Sequence, residues 1–280
     1  MLNVKKYFSK FYDTGVKTKV EGGSQTGGSS DDAITDPTLI DASLSGWFKN
    51  DTGELIEGFR ISSEDIVIDV GCGDSPYLYF CAMQGADVIC VDIDAQKVSA
   101  MEKKLRESSA GSVRAFVSDA CPLPVDDALV TKIIAMEVME HVDNPVEFLK
   151  ELVRVGKPGA QYLITVPDSA AENLQKDLAP AEYFTKPNHL RVIGREEFEQ
   201  MVLDAGLLIE QHKYYGFYWS VWWIFFWTCN QALTPPWHPL LESWTQTWKL
   251  LLEAKDGPRI KRVLDNYMPK SQAIIARKPD

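Results

Sequence analysis

The chain has 280 residues, 45% of them hydrophobic and 25% charged, a balance that suits one large globular domain and excludes general disorder. Its net charge of -11, with a pI near 4.9, repels phosphate backbones, so no nucleic-acid partner is expected. Cys72, Cys81, Cys90, Cys121 and Cys229 are odd in number and match no zinc spacing, which fits reduced thiols in a cytoplasmic protein.

Residues 1–35 read as a tail and linker. Lys5, Lys6, Lys10, Lys17 and Lys19 face a single acid, Asp13, within the first twenty positions, and EGGSQTGGSSDD (21–32) is too rich in Gly and Ser to bury surface. The basic head is either a solvated tail or a contact for an anionic partner or membrane. Its start, MLNVKKYFSKFYDTG, lacks the apolar stretch of a signal peptide. The domain is expected over 36–280. Apolar spacing over 38–59, at Leu39, Leu44, Trp47 and Phe48, suggests a helix leading into it.

Strands and helices then alternate. IVIDV (66–70) is a continuous apolar run, as in a strand buried on both faces. YLYFCAMQG suggests a short helix, DVICVDI (87–93) a second strand, and AQKVSAMEKKLRESSAG an amphipathic helix stopped at Gly111. Further strands are expected at 113–119, 132–137, 162–167, in LLIEQHKYY and at 271–277. Helices are expected at 144–159, with Pro145 in the first turn, and in REEFEQMVLDAGL. Such alternation predicts an α/β, doubly wound, mainly parallel sheet. No internal repeat is visible.

The chemistry concentrates where strands end. Asp69-Val70-Gly71-Cys72-Gly73-Asp74 lies between the first strand and the first helix, and glycines there let backbone approach a ligand at the carboxyl edge of the sheet. Asp92 closes the second strand, where an acid can accept from both hydroxyls of a ribose. Ser118-Asp119-Ala120 closes the third and adds an acceptor for an adenine amino group. No G-x-G-x-x-G or Tyr-x-x-x-Lys pair exists, which argues against a nucleotide-dependent oxidoreductase.

DVGCGD, VDID, SDA-x-PLP and MEVMEHVDNPVEFLKELVRVGKPGAQYLITVP, in this order over roughly 60–215, resemble the motifs of class I S-adenosylmethionine-dependent methyltransferases. The resemblance implies a Rossmann-like sheet of seven strands, the last antiparallel. It also implies Gly71 and Gly73 beside the donor's methionine moiety, with Asp69 near its amino group. Asp92 falls on the ribose and Ile93 against the adenine, whose amino group meets Asp119, with Ala120 beside it. Met136 would offer its backbone carbonyl. Ser75 departs from the pattern, since many members carry a third glycine there. The expected acceptor is a small molecule, with oxygen favoured as the methylated atom. A non-enzymatic alternative keeps the fold as a donor-binding or membrane-scaffolding protein. The sequence leaves the oligomeric state open.

Glu137, Glu140, His141, Asp168 and His189 are the candidate bases. If 137–141 opens a helix, Glu137, Glu140 and His141 share one face. Glu-x-x-Glu-His followed by a later His also resembles the metal-dependent ubiquinone-biosynthesis O-methyltransferases and the small-RNA 2′-O-methyltransferases. That likeness implies Glu137, Glu140, His141 and His189 as ligands of Mg or Zn. The alternative is an Glu-His pair that caps the helix and lines the pocket without metal.

Between Lys213 and Glu242 no Asp, Glu, Lys or Arg occurs, and the segment reads YYGFYWSVWWIFFWTC, followed by a helix with Trp244 and Trp248 on one face. We expect a helical insertion over about 217–266. Three readings stay open: a cap whose aromatics are core, a peripheral membrane contact through 214–248, or a transmembrane span. Either of the first two implies an apolar or amphipathic acceptor.

Overall fold

The computed structural model describes residues 36–74 and 76–280; the basic head, the Gly/Ser linker and Ser75 lie outside the described residues. Asp36 opens the first helix, α1 (Pro37–Leu44), by accepting the Thr38 N–H at 2.8 Å, and Pro37 sits in the first turn, where no helical donor is lost. The chain leaves the helix here rather than continuing to residue 59. Gly46, Gly53 and Gly58 all take positive φ, a conformation that breaks helical periodicity. They turn the chain through a small antiparallel sheet, β1 (Trp47–Lys49), β2 (Glu54–Ile56) and β3 (Phe59–Arg60). Of the positions that read as a helical stripe, Leu39 and Leu44 do lie in α1, whereas Trp47 and Phe48 fall in β1.

The main sheet holds β4 (Ile66–Val70), β5 (Asp87–Asp92), β6 (Val113–Val117), β7 (Val130–Met136), β8 (Gly156–Pro167), β9 (Leu208–Tyr215) and β10 (Ser271–Arg277), in the order β6-β5-β4-β7-β8-β10-β9. Only β10 runs antiparallel to its neighbours, β8 and β9. Parallel pairing from β6 across to β8 needs crossover helices on the faces: α2 (Pro76–Met83), α3 (Ala95–Arg106) and α4 (Pro145–Val155). Each cap is written locally. Asp94 accepts the Gln96 and Lys97 N–H groups before α3, and Asn144 accepts those of Val146 and Glu147 before α4. α5 (Ser169–Gln175) and α6 (Arg195–Asp204) follow β8. The sequence carries α4 to 159, but Gly156 ends it and starts β8.

Because Val67, Ile68 and Val70 alternate across a sheet covered on both sides, they feed two cores. One packs Phe148, Leu152 and Phe198 of α4 and α6; the other packs Leu78, Cys81 and Met101 of α2 and α3 together with Leu55 and Phe59 of the small sheet.

A third core belongs to the insertion between β9 and β10, made of α7 (Phe217–Thr228), α8 (Pro239–Glu253) and α9 (Gly257–Tyr267). Tyr218, Trp222, Trp223, Phe226 and Trp248 are buried there. A helix that is apolar all round is a buried helix, and α7 meets that rule by packing on α5 and α8. Trp227 Nε1 of α7 donates to Gln175 Oε1 (2.9 Å) and Trp244 Nε1 of α8 to the Tyr218 carbonyl (3.0 Å), whereas the buried Trp223 Nε1 makes no hydrogen bond among the described residues. With 12 residues α7 is about 18 Å long, against a ~30 Å hydrocarbon layer. Among the described residues no helix is long and apolar enough to cross a membrane, which removes the transmembrane reading.

α1 packs on α8, so the cap is assembled from two distant stretches of sequence. A buried ionic knot joins them. Lys261 of α9 donates to Ser45 Oγ (2.7 Å), lies 3.5 Å from Asp41 and pairs with Asp265, while Trp248 Nε1 donates to Asp41 at 2.9 Å.

Candidate functional site

The carboxyl tips of β4, β5 and β6 are stitched into one rim. The Gly71 and Cys72 N–H groups both donate to the Val91 carbonyl, at 2.8 and 3.0 Å. Gly73 N–H donates to Asp92 Oδ2 at 2.9 Å, Asp94 N–H to Oδ1 at 2.9 Å, and Ser118 N–H to the Asp92 carbonyl at 3.0 Å. Gly71 (φ 75°) and Gly73 (φ 53°) hold left-handed backbone that folds the loop over the strand tip. Each Asp92 oxygen takes one backbone donor and retains capacity for another, so the carboxylate fits a diol at this rim. Ile93 next to it is 73% exposed, an apolar face open to a flat ring. Asp119 is exposed and accepts the Cys121 N–H at 3.1 Å, so it forms a turn whatever else it binds. Ala120 is buried at φ 68°.

A cavity opens beside the rim. Asp69, Gly71 and Met136 line it from the strand tips, and Trp47, Tyr77, Tyr215 and Trp219 line it from the small sheet, α2, β9 and α7. The Trp47 ring lies 5.2 Å from Tyr77 and 5.3 Å from Tyr215, which makes a continuous aromatic wall. Asp41 of α1 also lines the space, and burial raises its carboxyl to about 6 against the opposing pull of Lys261.

Glu137 and Lys270 are the other charged groups in this wall. Glu137 does not open a helix. It has φ 52°, a turn follows through Val142, and α4 starts only at Pro145. The strained backbone is held by Thr165, whose carbonyl and Oγ1 accept the Glu137 N–H at 3.0 and 3.1 Å and whose hydroxyl donates to Glu137 Oε1 at 3.0 Å. Burial, reinforced by the Glu140 charge, raises the Glu137 carboxyl to about 7, although Lys270 pulls it down.

Glu140, His141 and His189 come together, with ligand atoms within 4.8 Å of one another, and Glu137 is not part of that group. The helical face that would have joined Glu137 to Glu140 and His141 is absent, because left-handed backbone at Glu137 turns the chain. His189 Nδ1 lies 2.7 Å from Glu172 Oε2, and the His141 and His189 rings meet edge-on at 5.0 Å. Burial alone would raise the Glu172 carboxyl, but Lys270 (3.2 Å) and His189 outweigh it and hold it near 2. Lys270, buried in turn, is kept charged by Glu172 and Glu137. Asp168, the remaining candidate base, caps α5 through the Ala170 N–H and pairs with Arg195 at 2.7 Å.

Residues 68–164 match the family model described as a methyltransferase domain. Over that stretch the chain is similar to S-adenosylmethionine-dependent methyltransferases. The chain is 24% identical over 149 residues to a probable S-adenosylmethionine-dependent methyltransferase of Mycobacterium tuberculosis, covering 53% of the chain and 50% of the relative. It is 33% identical over 100 residues to the chloroplastic tocopherol O-methyltransferase of Arabidopsis thaliana, covering 35% and 29%. The chain thus spans about half or less of the length of these two curated relatives. Among solved structures, geranyl diphosphate C-methyltransferase from Streptomyces coelicolor A3(2) superposes with a TM-score of 0.54 at 14% identity, covering 89% of this chain and 84% of that one. At such identity the likeness is one of fold.

Lys270, Glu172, Asp41 and the Trp47–Tyr77–Tyr215 wall escape sequence reasoning. Lys270 offered one signal: a lone cation directly before an apolar strand, where a buried partner is the condition for its presence.

Proposed function

We propose that this chain is an S-adenosylmethionine-dependent methyltransferase acting on a small apolar or amphipathic acceptor, with a hydroxyl oxygen as the favoured nucleophile. The observation that supports it is a single cavity lined by the donor-rim residues Asp69, Gly71 and Met136, by an aromatic wall and by Glu137. When bound, the donor supplies a sulfonium methyl for in-line transfer: its S–C bond breaks as the C–O bond forms. Gly71 and Gly73 admit the methionine moiety, Asp69 takes its ammonium, and Asp92 takes the ribose hydroxyls, with Ile93 and Asp119 at the base and Ala120 beside them. The Met136 carbonyl completes that end. Glu137 removes the acceptor's proton, for which a carboxyl near 7 is well matched to neutral pH. Aligning the acceptor with the methyl group supplies much of the remaining rate.

Relatives named for an oxygen of tocopherol and a nitrogen of ajmaline (Rauvolfia serpentina) support a small acceptor. The test is a metabolite extract incubated with isotope-labelled donor and read by mass spectrometry. Absence of any labelled small molecule, with donor binding intact by calorimetry, would leave the donor-binding scaffold as the better reading.

A second reading adds a divalent metal. Glu140, His141 and His189 offer one carboxylate and two imidazoles, and the Glu172 contact at Nδ1 leaves His189 Nε2 as its ligand atom, the orientation that a carboxylate behind the ring gives to metal-binding histidines. The ion would orient the acceptor hydroxyl, and an apolar lipid-like or quinone-like acceptor would suit it. Undiminished turnover after chelation ends this reading. All five cysteines are free thiols, which supports a cytoplasmic location.

A further inference from the structure

α9 packs with one side against Asp41 and Ser45, which line the cavity, and faces solvent with the other. Its inner side carries Lys261 and Asp265, fixed by Ser45, Asp41 and the Phe217 N–H, so the helix is rigidly seated on the cap. On its outer side Ile260, Val263 and Tyr267 are 36%, 62% and 79% exposed, and their three- and four-residue spacing aligns them in one stripe. Exposed Arg259 and Arg262 border that stripe. The single acid of the helix, Asp265, points inward, and Asp256 before it lies 3.6 Å from Arg259. A protein of net charge -11 therefore presents one helix face that is both apolar and basic.

We propose that this face docks on an anionic lipid bilayer. Arginines beside an exposed apolar stripe are the two attractions that hold an interfacial helix in a headgroup layer, apolar side chains entering it and guanidiniums meeting phosphates. Charge complementarity selects the occupant, because a second copy of this acidic chain would bring net repulsion. The membrane contact accordingly lies not in 214–248, whose rings are largely interior, but at α9. The first twenty residues, with five lysines against Asp13, supply another basic segment in the same chain. Asp41 and Ser45, the partners of Lys261, also line the cavity, so the docked helix sits directly behind the acceptor chamber. Resting on the proposed reaction, this points to an acceptor drawn from the membrane.

The test is co-sedimentation of the full chain with vesicles of phosphatidylcholine alone, or of phosphatidylcholine with phosphatidylglycerol. Binding is expected only with the anionic lipid, and it should weaken as salt is raised. Replacing both Arg259 and Arg262 by Ala should weaken it about 25-fold, at roughly fivefold for each cation near the surface. A Val263→Asp, Tyr267→Ser double variant should abolish the contribution of the stripe. Both variants sit at the surface, and unchanged S-adenosylmethionine affinity by calorimetry shows that the domain is intact. Three results overturn the proposal: no binding to anionic vesicles, binding that neither variant alters, or lipid-free self-association that both variants abolish. Vesicle binding that survives in a protein lacking donor affinity would defeat the proposed reaction and leave the docking face standing.

Discussion

The backbone N–H of Gly73 donates to Oδ2 of Asp92 at 2.9 Å, tying the glycine loop of one strand to the acid that ends its neighbour. Asp92→Ala removes both the loop tie and the acceptor proposed for the ribose. It should weaken donor binding by about 1–3 kcal/mol, the range for a lost charge-assisted hydrogen bond. Isothermal calorimetry reads this directly, and unaltered affinity would refute the ribose assignment.

Glu137→Gln keeps an acceptor for the Thr165 hydroxyl while removing the base. Turnover should fall by about 10²–10⁴-fold with donor affinity retained. In the parent protein the rate should climb with pH through about 7, where the carboxyl ionises, and this limb should vanish in the variant. The sign for stability is opposite. Folding retains a proton that the unfolded chain releases near the ordinary 4.5, so the group's contribution is full below that pH and declines up to about 7. Urea melts across this window should therefore show a shallower decline in Glu137→Gln.

Lys261→Met leaves Asp41 and Asp265 buried without their shared cation. A loss of about 3–5 kcal/mol is expected, as for any buried pair deprived of one partner. The loss should grow as pH rises above about 6, where Asp41 of the parent ionises beside Lys261 while burial, no longer opposed by that cation, holds the variant's carboxyl protonated to higher pH. Thermal unfolding at pH 5 and pH 8 measures both effects, and equal melting of variant and parent would contradict the knot's role.

Gly257 meets α8 by backbone alone. A Cβ there would stand 2.0 Å from the Leu251 carbonyl oxygen, which cannot step aside as a flexible side chain would. Gly257→Ala should cost about 1–3 kcal/mol, the range for overpacking. Acceptor turnover should suffer more than donor binding. An alanine variant with the parent's melting temperature would mean that α9 can shift at no cost.

The sheet was legible because its signals are local. IVIDV and DVICVD are largely apolar runs, the first followed by Gly71 and the second closed by Asp92, and both strand positions and caps can be read from neighbours in sequence. The rim proposed for the donor was legible for the same reason, as each tip is written in three or four adjacent residues. The acceptor side was not. Trp47, Tyr77 and Tyr215 meet only after the small sheet, α2 and the end of β9 are brought together, and nothing in their spacing announces it. The helix expected at Glu137 failed on a single backbone angle. Its φ of 52° is stabilised by Thr165 on the adjacent strand, a tertiary cause that no local propensity encodes.

β9 and β10 are hydrogen-bonded neighbours, and the entire aromatic cap is spliced into the connection between them. The ladder would close just as well over a short hairpin, so the two strands place no demand on what is threaded there. The strand tips proposed to hold the methyl donor, encoded by one unbroken stretch, can stay constant while the splice is exchanged. Such a chassis lets new acceptors be acquired largely through changes at a single chromosomal segment, with α1 and α5, which pack on the cap, obliged to follow.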